Sequence, residues 1–297
     1  MQVSANGLQL EVEDSGPAHA PVVLLIMGLG MQLTAWPDLW VAALQQAGFR
    51  VVRFDNRDAG LSTQFDTLGL PNPLWAGLKH KLGWRQRPPY TLSDMAQDAL
   101  GLLDALAIAR AHVVGVSMGG MIAQRVALAA PERVLSLTSI MSSSGAKGLP
   151  DPDPEVLHQL YAPPASPGSE GLVEQSLKFL HLVASPAWPQ ADAVLREQVM
   201  RAMRRGHRPA GILRQTVAVM ADTERASELA RLQVPTLVMH GDADRMVPLV
   251  CGRDTARRIP GAQWRVIVGM GHDLPPGACQ SMLAHLLPFL LQHNPKT

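Results

Sequence analysis

Residues 112–124 read HVVGVSMGGMIAQ. The run opens as a short branched-apolar segment, the pattern of a strand buried on both faces. It stops at Gly115-Val116-Ser117-Met118-Gly119 and continues at once with helical periodicity. A strand that turns directly into a helix brings the two elements close together, so the corner residue is strained and its neighbours must lack bulk. Gly115 and Gly119 meet that need. The geometry holds the Ser117 hydroxyl out over the C-terminal edge of a sheet, beside the free N–H groups and positive dipole of a helix N-terminus. G-x-S-x-G in this strand–turn–helix setting is a nucleophile elbow. The competing reading is a glycine-rich turn whose serine only caps the helix.

The flanking pattern supplies the sheet such a corner needs. Leu8–Glu13 alternates apolar and polar residues, and Pro21–Ile26, Phe49–Phe54, His112–Val116 and Val134–Met141 are further strands. Helices are expected over 39–47, 91–106 and 119–129, closed by Gly48 and Pro131 at the first and last. Residues 61–90, rich in Pro, Gly and Trp, read as irregular. The alternation implies an α/β chain with a mostly parallel sheet and helices on both faces. It fails between 142 and 231, where helical segments near 154–161, 170–184, 190–205 and 209–221 follow one another without a strand. It resumes with Pro235–Met239, a helix near 247–258, the strand Trp264–Val268 and a helix from Pro276 to Leu291. The expected organisation is a core of 1–141 and 232–297 with a helical insertion at 142–231.

Lys plus Arg is 26 and Asp plus Glu is 25, a net charge of +1 that points to no nucleic-acid or anionic-membrane partner. The start, MQVSANGLQLEVEDSG, has neither the basic nor the apolar region of a signal peptide, and no apolar run reaches the length of a membrane span. Cys251 and Cys279 stand in no metal or redox spacing and read as reduced thiols. The expectation is a soluble cytoplasmic protein. The exposed faces of the insertion are candidates for a homodimer contact, though nothing in the pattern singles one out.

A serine hydroxyl becomes a nucleophile only when a base takes its proton, so a histidine held by a carboxylate is required. Of ten histidines, His272 alone lies in a glycine-flanked loop, GMGHD, directly after a strand. That places it on the rim where Ser117 lies. An acid should also follow a strand, and Met239-His240-Gly241-Asp242-Ala243-Asp244 does so. Asp244 fits best, because the turn through Gly241 returns the second aspartate to the rim; Asp242 competes. A metal site at His240, Asp242 and Asp244 lacks a further ligand cluster. Two backbone donors complete the set: the N–H of Met118, next after the serine, and that of Leu29 in the loop Gly28-Leu29-Gly30 after the Pro21–Ile26 strand. This constellation needs no metal and no cofactor.

Five segments now stand in order: IMGLG, FDNRDAGLS, GVSMGG, HGDADRMVP and GMGHDLP. Together they resemble the α/β-hydrolases, and IMGLG with FDNRDAGLS most resembles bacterial carboxylesterases related to aclacinomycin methylesterase. The resemblance implies a serine hydrolase acting on small-molecule carboxylic esters, with Ser117 as nucleophile, Asp244 as acid and His272 as base. It also implies that 142–231 cover the active site. Met27-Gly28 stands where many relatives have His-Gly; a backbone donor survives that change. Asp55 and Arg57 read as a loop-fixing ion pair. Leu, Met and Trp188 in the insertion, with Trp75 and Trp84, suggest an apolar substrate pocket, or equally the packing of insertion on core. Perhydrolysis (haloperoxidase-type), lactone opening or ligand binding without turnover would use the same frame.

Overall fold

The computed structural model describes residues 1–84, 86–164 and 166–295, without the side chains of residues 73, 74, 80 and 81. Its centre is one eight-stranded sheet. In chain order the strands are β1 (Gln2–Ala5), β2 (Leu8–Ser15), β3 (Val22–Ile26), β4 (Arg50–Phe54), β5 (Ala111–Val116), β6 (Val134–Ile140), β7 (Thr236–Gly241) and β8 (Gln263–Ile267). Their spatial order is β1-β2-β4-β3-β5-β6-β7-β8. β1 and β2 run antiparallel, β2 runs antiparallel to β4, and every other pair is parallel. The C-termini of β3 through β8 therefore share one rim.

The helices of the first half are α1 (Asp38–Gln46), α2 (Pro73–Lys81), α3 (Leu92–Ala105) and α4 (Met118–Ala129). Between β6 and β7 come α5 (Pro154–Tyr161), α6 (Ser169–Val183), α7 (Asp192–Gly206), α8 (Pro209–Ala221) and α9 (Arg225–Glu228). The chain closes with α10 (Leu249–Arg258) and α11 (Pro276–Gln292). Helix α3 begins in a capping box: Thr91 accepts from the Asp94 N–H, and Asp94 accepts from the Thr91 N–H.

The central strands β3, β5, β6 and β7 are buried along their whole length; β3 is a continuous apolar run, while β5, β6 and β7 also bury polar residues such as His112, Ser136, Thr138 and His240. One face of the sheet packs on α3 and α4 through Leu102, Leu103, Ile122 and Val126. The other packs on α1 and α11 through Trp40, Leu44, Met282 and Leu286. His112 is fully buried in β5, with Nδ1 on Ser136 Oγ (2.7 Å) and Nε2 on Asn294 Oδ1 (2.8 Å). Cys251 and Cys279 are free and buried. No helix among the described residues is long and apolar enough to cross a membrane.

The structure corrects three details. β1 was not expected; it pairs with β2 across Asn6-Gly7, both with positive φ (49° and 74°) as a tight hairpin turn requires. Residues 61–90 are not wholly irregular, since they contain α2. And Asp55 and Arg57 do not pair with each other. Arg57 forks onto buried Asp98 (2.6 and 2.7 Å), whereas Asp55 accepts from the Leu33 N–H (2.7 Å), the Leu61 N–H (2.9 Å) and Arg205 Nη1 (2.6 Å). Both still fix the loop after β4, but through α3 and α7, because side chains of successive loop residues diverge and the complementary charges lie far along the chain.

Candidate active site

The elbow sits where β5 meets α4. Ser117 has φ 54° and ψ −124°, a backbone conformation that costs a non-glycine residue about 1–3 kcal/mol. Its surroundings hold it there. The Ser117 N–H donates to Ile140 O (2.9 Å), and its carbonyl accepts from the Gly120 N–H (2.9 Å) and from the Ser142 hydroxyl (2.7 Å). The two glycines leave no room for a side chain: a Cβ on Gly115 would overlap the Gly119 carbonyl, and one on Gly119 would overlap the Ile26 carbonyl.

His272 follows β8 and reaches the same point on the rim. Its Nε2 lies 3.0 Å from Ser117 Oγ and its Nδ1 lies 2.8 Å from Asp244 Oδ2. An ionised carboxylate only accepts, so Nδ1 carries the proton and Nε2 presents its lone pair to the serine. Asp244 is buried, and its second oxygen, Oδ1, accepts from the N–H groups of Met246 (2.9 Å) and Val247 (2.8 Å). Burial pushes this carboxyl upward. Electrostatic attraction to His272 and the hydrogen bonds from His240 and His272 outweigh it and hold Asp244 below the usual carboxylate range. His240 Nε2 donates to Val247 O (2.7 Å) and lies 3.3 Å from Asp244 Oδ2, so it backs the acid from within β7.

Asp242 goes elsewhere. Its Oδ1 accepts from the Gly269 N–H (2.6 Å), so it pins the start of the histidine loop and does not face His272. Asp242 and Asp244 thus diverge onto different partners, and among the described residues no group of three His, Cys, Asp or Glu side chains is placed to hold a metal.

The loop after β3 passes directly beside the serine: a Cβ on Gly28 would stand 3.2 Å from Ser117 Cβ. The Met31 N–H returns to Gly28 O (3.2 Å), closing a turn with Gly30 at φ 66°. Leu29 is the second residue of that turn. Met118 is the first residue of α4, where N–H groups have no partner within the helix. Asn56 Nδ2 donates to Met27 O (2.9 Å) and ties this loop to the one after β4.

Sequence reasoning did not single out the groups that hold the histidine loop. The His272 N–H donates to Val183 O (2.7 Å), and the Gly271 N–H donates to Ser185 Oγ (2.9 Å). The Ser185 N–H (3.0 Å) and hydroxyl both donate to Asp273 Oδ1. Asp273 was visible as the neighbour of His272, but its partner comes from the α6–α7 connection, 88 residues earlier. Trp188 packs on Gly277 at the start of α11. Trp75 and Trp84 lie about half exposed, edge to face with centroids 6.3 Å apart.

The family model of the alpha/beta hydrolase fold matches residues 21–275, and the chain belongs to that family. It is 32% identical over 278 residues to rhodomycin D methylesterase of Streptomyces sp. (strain C5), covering 87% of each chain. Among solved structures it resembles an enol-lactonase from Burkholderia xenovorans LB400 (26% identity, TM-score 0.70, 98% of this chain and 100% of that one). It also resembles a meta-cleavage product hydrolase from Pseudomonas fluorescens IP01 (TM-score 0.77, 99% and 98% covered), whose 21% identity speaks for the fold alone.

Proposed function

We propose that the protein is a carboxylic ester hydrolase acting on apolar small-molecule esters through an acyl-enzyme on Ser117. The observation that carries this is the continuous line Asp244 Oδ2–His272 Nδ1, His272 Nε2–Ser117 Oγ, at 2.8 and 3.0 Å. The relative named a methylesterase over most of both chains supports an ester as the substrate class.

In the first step His272 Nε2 takes the Ser117 proton as Oγ attacks the ester carbonyl. The carbonyl π electrons move to oxygen, which the N–H groups of Leu29 and Met118 receive; each such donor contributes about 10²–10³ in rate. Asp244 keeps the imidazole in the productive tautomer and stabilises its cation. Collapse of the tetrahedral intermediate expels the alkoxide, which takes the proton from His272. Water then enters, gives its proton to His272, and releases the acid by the same sequence in reverse.

In this reading residues 1–141 and 232–297 form the catalytic core and 142–231 form the cap that encloses the substrate. Val183, Ser185 and Trp188 of the cap bear on the histidine loop and α11, so the cap also braces the site it covers. A lactone is a cyclic ester and fits the same chemistry; the likeness to an enol-lactonase favours it as a second substrate type. The test is turnover of p-nitrophenyl esters of graded acyl length by wild type and Ser117→Ala. Loss of several orders of magnitude in kcat is expected. Wild-type turnover in the variant refutes the assignment, and ligand binding without turnover in wild type replaces it with a binding protein.

A further inference from the structure

We propose that Gln215, in α8, is a positioning residue that locks the oxyanion turn; the proposal rests on the ester-hydrolase reading. Gln215 is fully buried, and both ends of its amide are committed. Oε1 accepts from the Gly30 N–H (2.8 Å), and Nε2 donates to Arg57 O (2.8 Å). One side chain from the helical segment thus joins the loop after β3 to the loop after β4.

The Gly28–Met31 turn is of a kind whose middle peptide, Leu29–Gly30, can rotate as a unit and exchange the directions of its N–H and C=O. Gly30, at φ 66°, carries no side chain to oppose that rotation. In the observed state its N–H meets Gln215 Oε1. In the rotated state the Leu29 carbonyl would meet the same oxygen. The amide cannot turn round to suit it, because Nε2 is held by the Arg57 carbonyl. Gln215 therefore accepts only one orientation of the peptide. The Leu29 N–H belongs to the adjacent Gly28–Leu29 peptide, whose carbonyl accepts from the Met31 N–H (3.2 Å) across the same turn, so pinning Gly30 to Gln215 holds in place the turn that presents this N–H to the carbonyl attacked by Ser117.

The helix is itself anchored. Arg214 forks onto buried Asp58 (2.7 and 2.8 Å), and Ile212 Cγ1 would lie 2.6 Å from a Cβ on Gly30, leaving the turn only glycine-sized space. Seating of α8 and placement of the Leu29 turn are one event.

The test compares wild type, Gln215→Met, Gln215→Glu and Thr216→Val, with Ser117→Ala alongside. Met keeps the shape and loses both hydrogen bonds; Glu keeps the acceptor toward Gly30 and, protonated because it is buried, can donate to Arg57 O. Thr216 Oγ1 bonds only within α8, to Ile212 O (2.8 Å), and controls for perturbing the helix. The readouts are kcat and KM on a p-nitrophenyl ester, and inhibition by a trifluoromethyl ketone, whose serine adduct carries the oxyanion. Gln215→Met is expected to lose about 10–100-fold in kcat with KM within about threefold, and to lose ketone affinity by a like factor, on the scale of a misplaced oxyanion donor. Gln215→Glu recovers most of the loss, and Thr216→Val matches wild type. If Gln215→Met keeps wild-type kcat and ketone affinity, or Thr216→Val loses as much, the positioning role is wrong while the ester-hydrolase reading stands on Ser117→Ala. If wild type neither turns over the ester nor binds the ketone, both fall.

Discussion

Replacing Asp244 by Asn changes one atom and should stop the enzyme. The two Asp244 oxygens have different duties: Oδ1 accepts from the N–H groups of Met246 and Val247, and Oδ2 accepts from His272 Nδ1. An asparagine must put its carbonyl oxygen where two backbone donors point. Its NH₂ then faces His272 Nδ1. Two donors cannot share one hydrogen bond, so the imidazole moves its proton to Nε2, and Nε2–H points at Ser117 Oγ. The base has lost its lone pair. The wrong tautomer in a serine triad costs about 10⁴ in kcat, or about 5 kcal/mol of barrier. The shape of the side chain is kept, so the far-ultraviolet circular dichroism should match wild type. Steady-state hydrolysis of a p-nitrophenyl ester at neutral pH reads the effect. Asp242→Asn, whose side chain accepts from the Gly269 N–H and makes no hydrogen bond to His272, should stay within about tenfold. An Asp244→Asn enzyme within tenfold of wild type would refute the reasoning, and the more so if Asp242→Asn were the dead variant.

Two further expectations concern the frame. Gly115→Ala puts a methyl group into the backbone of Gly119 and Gly120, so the elbow must move; the expected cost is about 1–3 kcal/mol in stability and at least 10²-fold in kcat, read by thermal melting and ester turnover. Burial pushes His112 down to about 4, against the opposing hydrogen bond that its Nε2 gives to Asn294 Oδ1. A depressed folded-state value favours the native state above the unfolded value of about 6.5, and that advantage is lost as pH falls toward 4, by up to about 3 kcal/mol. Urea unfolding at pH 7 and pH 4.5 should show this loss in wild type but not in His112→Phe, and equal slopes in both would contradict it.

The parts of the site that sequence revealed are those whose cause is local. The elbow was legible because strand, strained corner and helix are contiguous, and Gly115 and Gly119 report the close approach directly. His272 and Asp244 were legible because each follows a strand in a parallel sheet, which alone puts them on one rim. β1 was missed although Asn6-Gly7 is a strong hairpin signal; Gln2 and Ser4 are exposed, Val3 is partly buried, and only Ala5 shows the buried side. α2 was missed because Gly77 and the surrounding prolines mask its periodicity. The partners of Asp55, Arg57 and Gln215 were out of reach for another reason. Arg205 lies 150 residues from Asp55, and Gln215 lies 185 from Gly30, so these contacts are set by how the α7–α8 segment folds back over the rim. A buried glutamine in an apolar helix marks a partner without naming it.

The most direct test of the account is labelling by a fluorophosphonate probe, which reacts only with a serine whose proton has a base to go to. Intact-mass and peptide mass spectrometry should find one adduct, on Ser117, lost in Ser117→Ala and strongly slowed in Asp244→Asn. A folded wild-type protein that takes up no probe, or takes it up on another residue, would contradict the account.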